Sequence, residues 1–336
     1  MRSKELQLGH GSGGRLTAEL MEKVFLPAYS NPLLAQLNDQ AVFSINGARL
    51  AFTTDSFVVK PLFFPGGDIG KLAVNGTVND LAMGGAKPLY LSASFVLEEG
   101  LAIDELKRVV ASMADAAREA GVEIVTGDTK VVERGHGDGV YINTSGVGVI
   151  EHDHYLSSNQ ARPGDKIIVS GPVGDHGMAV MARREGLEFD TPIESDTAPL
   201  HEMVAAMLAA SDGICCMRDP TRGGLATTLN EIAKSSSVGM MLHETSIPVR
   251  EPVAALCELL GLDPLYVACE GRLAAIARAD DVDALLVAMR SNSLGEESVV
   301  VGDVVADHPS TVVMRTCVGG TRIVDVLSGE QLPRIC

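Results

Sequence analysis

The chain has 336 residues, with 27 Lys and Arg against 44 Asp and Glu and a formal charge of −17. That balance excludes a general nucleic-acid binder, which needs clustered cations for the phosphate backbone, yet admits a nucleotide bridged to carboxylates by metal ions. No run approaches the roughly 20 apolar residues of a membrane span, and the opening MRSKELQLGHGSGG lacks a signal's apolar segment, so a cytoplasmic protein without membrane partners is expected.

The first feature is Gly9-His10-Gly11-Ser12-Gly13-Gly14. It formally matches G-x-G-x-x-G, but no good strand precedes it and no βαβ unit surrounds it, which argues against a dinucleotide fingerprint. Its backbone N–H groups can wrap phosphates, and a flexible arm is the alternative. A hairpin follows, with strands over 41–45 and 48–54 joined by Asn46-Gly47, the dipeptide suited to a type I′ turn. Its register sets Phe43 opposite Leu50 and Ala41 opposite Phe52, and brings Asp39 and Asp55 to the open end. A helix over 68–83, capped by Asp68 and stopped by Gly84-Gly85, carries Asn75, Asn79 and Asp80 at neighbour spacing. A second helix over 103–120 has the core stripe Leu106, Val109, Val110, Met113 and Ala117. A strand over 122–126 empties into Gly127-Asp128-Thr129-Lys130, and another covers 141–150.

Residues 151–164 are polar and aperiodic, which places a domain boundary there. His152 and His154 read as part of a solvated linker, with metal ligation the alternative. Beyond it come a strand over 166–170, helices near 173–184, 199–210, 222–234, 251–260 and 282–289, and strands near 273–276 and 312–315. Both halves mix hairpins with helices, so the expected class is α+β. The expected units are an arm and helix (1–36), two α+β domains (37–150 and 160–327) and a mobile tail (328–336). Pro333 keeps Leu332 extended. Nine extended residues reach roughly 30 Å, enough to bring the terminal thiol to its own active site or a partner's.

Asp39, Asp55, Asp80, Asp128 and Asp219 each fall at an element end, where rigid structure can project ligands into a cleft. Hard cations such as Mg2+ prefer such oxygens and bridge to phosphates; for any one Asp the alternative is a cap or turn. Lys130 follows Asp128, and Glu270 sits between Cys269 and Gly271-Arg272. In a cleft a Lys and a Glu can move protons, and the alternatives are a surface residue and a salt-bridge partner. Five of the six cysteines (Cys215, Cys216, Cys257, Cys269 and Cys317) have apolar neighbours and read as buried fillers. Cys336, the last residue, has no packing role that requires sulfur, and a thiolate on a mobile carrier is a good nucleophile. Arg334 would lower its pKa and the terminal carboxylate would raise it; a chance terminal Cys is the alternative.

The stretches GHGSGGR (9–15), LNDQA (37–41), the block 53–88, VTGDTKVV (125–132), SGPVGDHGMAV (170–180), RDPTRGGLATTLNEIA (218–233), ACEGR (268–272) and the terminal PRIC (333–336) carry a further signal. Through them the chain resembles the HypE family of hydrogenase-maturation carbamoyl dehydratases almost end to end. The resemblance implies the two-domain fold of the aminoimidazole-ribonucleotide-synthetase-like (PurM-like) superfamily, dimerising through its N-terminal sheet. It implies that a carbamoyltransferase, HypF, loads a carbamoyl group onto Cys336. ATP-dependent dehydration to a thiocyanate then supplies cyanide to iron on a HypC–HypD complex for nickel–iron hydrogenase. It also implies roles: Asp39, Asp55, Asp80, Asp128 and Asp219 as magnesium and nucleotide carboxylates, Gly11, Ser12, Gly13 and Gly14 as the phosphate cover, and Lys130 with Glu270 as the proton-handling pair. Two readings compete: a selenophosphate synthetase, whose reactive residue would lie near the glycine arm, and a non-enzymatic assembly scaffold.

Overall fold

Asn46 and Gly47 both take positive φ in the computed structural model, 50° and 86°, as a type I′ turn demands. The structure describes residues 5–187, 192–327, 329, 332 and 334–336. Ahead of the hairpin lie α1 (Arg15–Leu20), a π-helical turn (Met21–Phe25) and α2 (Leu26–Tyr29). β1 (Ala41–Ile45) and β2 (Ala48–Phe57) pair with Phe43 opposite Leu50 and Ala41 opposite Phe52, the expected register. β2 runs past Thr54 to Phe57, so Asp55 lies inside a strand and not at its end. Thr144 of the neighbouring strand is its ladder partner.

A short pair, β3 (Phe63–Phe64) and β4 (Gly67–Asp68), leads into α3 (Ile69–Met83). The Asp68 carboxylate caps α3, accepting from the N–H groups of Gly70 and Lys71 at 2.7 and 3.2 Å. Nearly all of α3 is buried, which its mixed surface of Ala, Val, Gly and Asn permits. Gly76 is required there: a Cβ would stand 2.9 Å from the Phe57 ring. β5 (Lys87–Glu98), α4 (Ile103–Glu119), β6 (Glu123–Val132) and β7 (Val140–Ile150) complete this half. Within the predicted stripe of α4, Val110 is exposed while Val109, Met113 and Ala117 are buried.

These strands form one sheet in the order β1-β2-β7-β5-β6, antiparallel except for β5 with β6. Leu91, Ala93 and Leu97 of β5 face the core with α3 and α4, whereas Phe52, Tyr90 and Val96 stand exposed on the opposite face.

The link to the second half is less solvated than its composition predicts. His152 Nε2 lies 3.1 Å from the Gly85 carbonyl, its Nδ1 accepts from the His154 N–H, and the two rings meet edge-on. Beyond it come β8 (Lys166–Val169), α5 (Asp175–Glu185), α6 (His201–Ala210), β9 (Ile214–Arg218), α7 (Gly224–Ser236), β10 (Gly239–His243), α8 (Glu251–Leu260), β11 (Ala274–Ala277), α9 (Val282–Arg290), β12 (Val299–Val305), β13 (Thr311–Arg315) and β14 (Thr321–Val324). Their sheet runs β14-β13-β10-β12-β8-β11-β9. Both faces are covered: Ile167 and Val169 pack toward α7, and the intervening Ile168 packs toward α6 and α9. Ala82 and Met83 at the end of α3 enter that second cluster, so α3 joins the two halves.

Among the described residues no helix is long and apolar enough to cross a membrane. Cys317 is exposed and Cys215 half-buried, which corrects the expectation of five buried fillers.

Candidate active site

The C-terminal end of α3 and the start of the loop after β9 meet where the two halves join. Asp80 comes from α3, Asp219 follows β9, and Asp39 precedes β1. These three offer carboxylate oxygens that all lie within 4.8 Å of one another. Thr53 Oγ1 holds the arrangement, donating to Asp80 Oδ2 at 2.8 Å and lying 2.9 Å from the Asp39 carbonyl oxygen. Arg218 sets its guanidinium 2.7 Å from Asp39 Oδ1 and pairs with Glu231 on the other side.

Burial and neighbouring carboxylates raise the pKa of all three carboxyls. Burial pushes Asp39 up to about 6, with Arg218 pulling the other way. Burial and then the Asp39 charge lift Asp219 to about 8. Burial, Asp219 and Asp39 drive Asp80 well above the carboxylate range. The buried Asp39 Oδ2 has no hydrogen-bond partner. Three hard oxygens held together, one of them orphaned, fit a divalent cation such as Mg2+.

The chain terminus is seated beside this cluster. The Cys336 carbonyl accepts from the Val58 N–H and the Arg334 carbonyl from the Lys60 N–H, both at 3.2 Å, so the tail runs antiparallel to residues 58–60. Arg184 grips this pairing, donating to the carbonyls of Lys60 at 2.9 and 2.6 Å and of Arg334 at 2.8 Å. Ile335 and Cys336 are only 3% and 6% exposed and belong to the core around α3.

The Cys336 thiol rests against Glu270. Burial pushes the thiol far up, the Arg222 charge opposes it, and the Glu270 carboxyl hydrogen-bonds it. Burial is also what raises Glu270 well above its ordinary value, reinforced by Asp219 and Asp55. Glu270 is fixed through its backbone: its N–H donates to Asp196 and its carbonyl accepts from Asn79 of α3. Arg222 lies 3.6 Å from Asp55 and donates to the Gly11 carbonyl at 3.3 Å. Its pKa is raised by Cys336 first and then, against the cost of burial, by Asp55 and Glu270. Gly11, Ser12, Ser56, Arg222 and Cys336 line one cavity of about 290 Å3. The glycine arm is docked here: a Cβ at Gly13 would meet the Arg222 carbonyl at 2.7 Å and one at Gly14 the Leu327 carbonyl at 2.4 Å.

The N-terminal domain model of the AIR synthase related proteins matches residues 37–150, and the C-terminal domain model matches 162–315. The carbamoyl dehydratase HypE of Cupriavidus necator is 60% identical over 100% of this chain and 96% of its own length. The chain belongs to the HypE family of carbamoyl dehydratases. A HypE solved in a HypE–HypF complex superposes with a TM-score of 0.87 at 48% identity, covering 92% of this chain and 99% of that one. A HypE solved in complex with ATP gives 0.84 at 50% identity, covering 99% and 100%. The expected α+β, PurM-like fold is thereby borne out.

Within this HypE-family fold, Asp39, Asp80, Asp219, Asp55, Glu270, Cys336 and the Gly11–Gly14 arm gather at one place. Asp128 and Lys130 do not. β6 continues through both, so they lie inside a strand and not at its end. Their ladder neighbours Ser94 and Val96 alternate with the core residues of β5, which puts Asp128 and Lys130 on the open face of the sheet. There Lys130 Nζ pairs with Asp128 at 2.6 Å, and that hydrogen bond holds the Asp128 pKa low. Asp55 lies on the helix side with its partner Thr144, whose hydroxyl donates to Ala73 of α3. Arg334 turns away from the thiol to Asp138, and Arg222 supplies the cation that Arg334 was expected to provide. Ser328 and Pro333 of the tail lie outside the described residues.

Sequence reasoning overlooked Arg222, Arg184 and His176. Arg222 was legible in principle, since Arg218 and Arg222 flank Asp219 in a stretch that is otherwise small and neutral. Arg184 and His176 reach the tail through its backbone carbonyls, a role that leaves no spacing pattern.

Proposed function

We propose that this chain carries out ATP-dependent dehydration of a carbamoyl group borne on its own Cys336, yielding a thiocyanate for the cyanide ligands of nickel–iron hydrogenase. One observation carries the reading: a terminal thiol, 6% exposed, is seated against Glu270 and Arg222 beside a three-carboxylate cluster. A scaffold would need neither the buried thiol nor the carboxylates. A selenophosphate synthetase would place its reactive residue on the glycine arm, which holds no cysteine.

Asp39, Asp80 and Asp219 would hold Mg2+, and when bound the ion would draw phosphate oxygens to this acidic site and polarise them, with the Asp55 carboxylate adding to the negative charge there. The Gly11–Gly14 arm closes over the phosphates. An amide oxygen leaves poorly, so ATP first phosphorylates the thiocarboxamide oxygen, forming the O–P bond and releasing ADP. Cleavage of the C–O bond, with loss of both nitrogen protons, then leaves phosphate and the C≡N group on sulfur. A carboxylate raised by burial is a strong base once it ionises, which suits Glu270 to take one of these protons. Exclusion of water by the seated tail keeps the carbamoyl thioester from hydrolysis.

Lys130 takes part from a second copy. The open face with Phe52, Tyr90 and Val96 is the natural contact of a homodimer. A two-fold axis along the strands would set the β6 edge of each sheet over the β1–β2 edge of the other. HypF loads the tail while it is withdrawn, and a HypC–HypD complex takes the cyano group at iron. The units follow as arm 1–36, domains 37–150 and 160–327, and the tail 328–336, which inserts for chemistry and withdraws for delivery, all in the cytoplasm.

The test is ATP hydrolysis by the full chain with its tail carbamoylated and uncarbamoylated. The dehydratase reading requires stoichiometric ADP release only from the carbamoylated chain; equal or absent hydrolysis in both would favour the scaffold.

A further inference from the structure

His176 has no part in the chemistry above, yet it is completely buried and both of its ring nitrogens are engaged. It sits in the first turn of α5, its ring edge-on to Phe64. Nε2 lies 3.0 Å from the carbonyl oxygen of Ile335, the residue before the reactive cysteine. A carbonyl can only accept, so Nε2 carries the proton and Nδ1 is left as an acceptor. Nδ1 is 2.8 Å from Ser195 Oγ, whose hydroxyl proton then points at it. Ser195 Oγ itself accepts from the Thr197 N–H, and Thr197 Oγ1 accepts from Asn75 of α3. The chain of contacts therefore fixes one tautomer and ties the tail to the helix that carries Asp80. Burial holds the imidazole pKa down to about 4, which keeps the ring neutral as this tautomer needs.

We propose that His176, oriented by Ser195, is the positioning residue that seats the C-terminal tail and aims Cys336 at Glu270. Among the described residues, the N–H groups of Val58 and Lys60 and the Arg184 guanidinium hold the flanking carbonyls of Cys336 and Arg334. His176 alone among the described residues takes the intervening carbonyl from the opposite side, and Leu332 packs beside it against Gly177. With all three successive carbonyls held, the last residue has one orientation. The proposal rests on the dehydratase reading only for its rate measurement, because the seating is read independently.

The test is alkylation of the full chain by iodoacetamide, followed as peptide masses, with exposed Cys317 as the internal reference. His176→Leu should raise the rate at Cys336 relative to Cys317 by about tenfold, the equivalent of about 1.4 kcal/mol for one buried hydrogen bond. It should slow dehydration of a carbamoylated tail by a similar factor, with the affinity for ATP unchanged. His176→Gln, whose amide nitrogen can stand where Nε2 stands, should remain within about threefold of the parent in both. Should His176→Leu fail to fold, Ser195→Ala takes its place, with about a threefold rise expected at Cys336. Unchanged protection of Cys336 in the Leu variant (or in the Ser195 variant, if that replaces it) would overturn the proposal. So would a Gln variant as unprotected as the Leu variant. Protection is measured without ATP or partner, so a parent chain that never dehydrates its tail would overturn the functional reading and leave this one standing.

Discussion

Thr53 Oγ1 lies 2.8 Å from Asp80 Oδ2 and 2.9 Å from the Asp39 carbonyl, so one hydroxyl spans two of the three segments that build the carboxylate cluster. A hydroxyl bonded to a carboxylate contributes about 1.5–3 kcal/mol. Thr53→Val keeps the shape and removes the bond. Magnesium affinity in the presence of ATP should fall by about tenfold or more, measured by calorimetry, with the fold intact by circular dichroism. Unchanged affinity would mean that Asp80 is not held for the metal.

The buried imidazole makes a pH prediction with a definite sign. His176 titrates near 4 in the folded chain, below its ordinary 6.5. A base whose folded pKa is depressed contributes stability that is complete above 6.5 and is lost as the pH falls toward 4. The loss amounts to about 3 kcal/mol at most. Asp39 and Asp219 are raised instead, so their contribution is present below the ordinary carboxylate pKa and is lost as the pH rises through about 6 and about 8. The two slopes oppose each other in the parent. The unfolding free energy of the parent minus that of His176→Gln should therefore fall, by up to about 3 kcal/mol, as the pH goes from 7 to 4. A difference that stays constant across that window would rule out a neutral, buried His176.

A site shared between two copies can be tested by mixing. Lys130→Ala and Glu270→Gln should each abolish dehydration alone. Co-expressed, they form heterodimers in which one of the two sites has both groups intact, and about a quarter of the parent activity should return. No recovery, with subunit mixing verified by mass, would show that Lys130 does not act across the interface.

Much of this was legible in the sequence, and the remainder was not for identifiable reasons. Asn46-Gly47 fixed the hairpin register because only that turn geometry suits the dipeptide, and Asp68 with Gly84-Gly85 bounded α3 through ordinary capping. β6 was cut short at Thr126 because Gly127 reads as a breaker. In the fold Gly127 is tolerated for close approach, since a Cβ there would meet the Ala93 carbonyl at 2.0 Å. That shortening put Asp128 and Lys130 at a strand end, when the pleat sends them to the open face. The sequence analysis lets the tail reach its own active site, but the contacts that seat it left no pattern, because Val58, Lys60, Arg184 and His176 take its backbone carbonyls, which any residue supplies.

The most direct measurement is the mass of the C-terminal peptide after the full chain is incubated with HypF, carbamoyl phosphate and magnesium-ATP. A carbamoyl adduct on Cys336 that then loses one water is the predicted result, with Glu270→Gln halted at the adduct. An unmodified Cys336 beside active HypF, or an adduct that never loses water, would contradict the account.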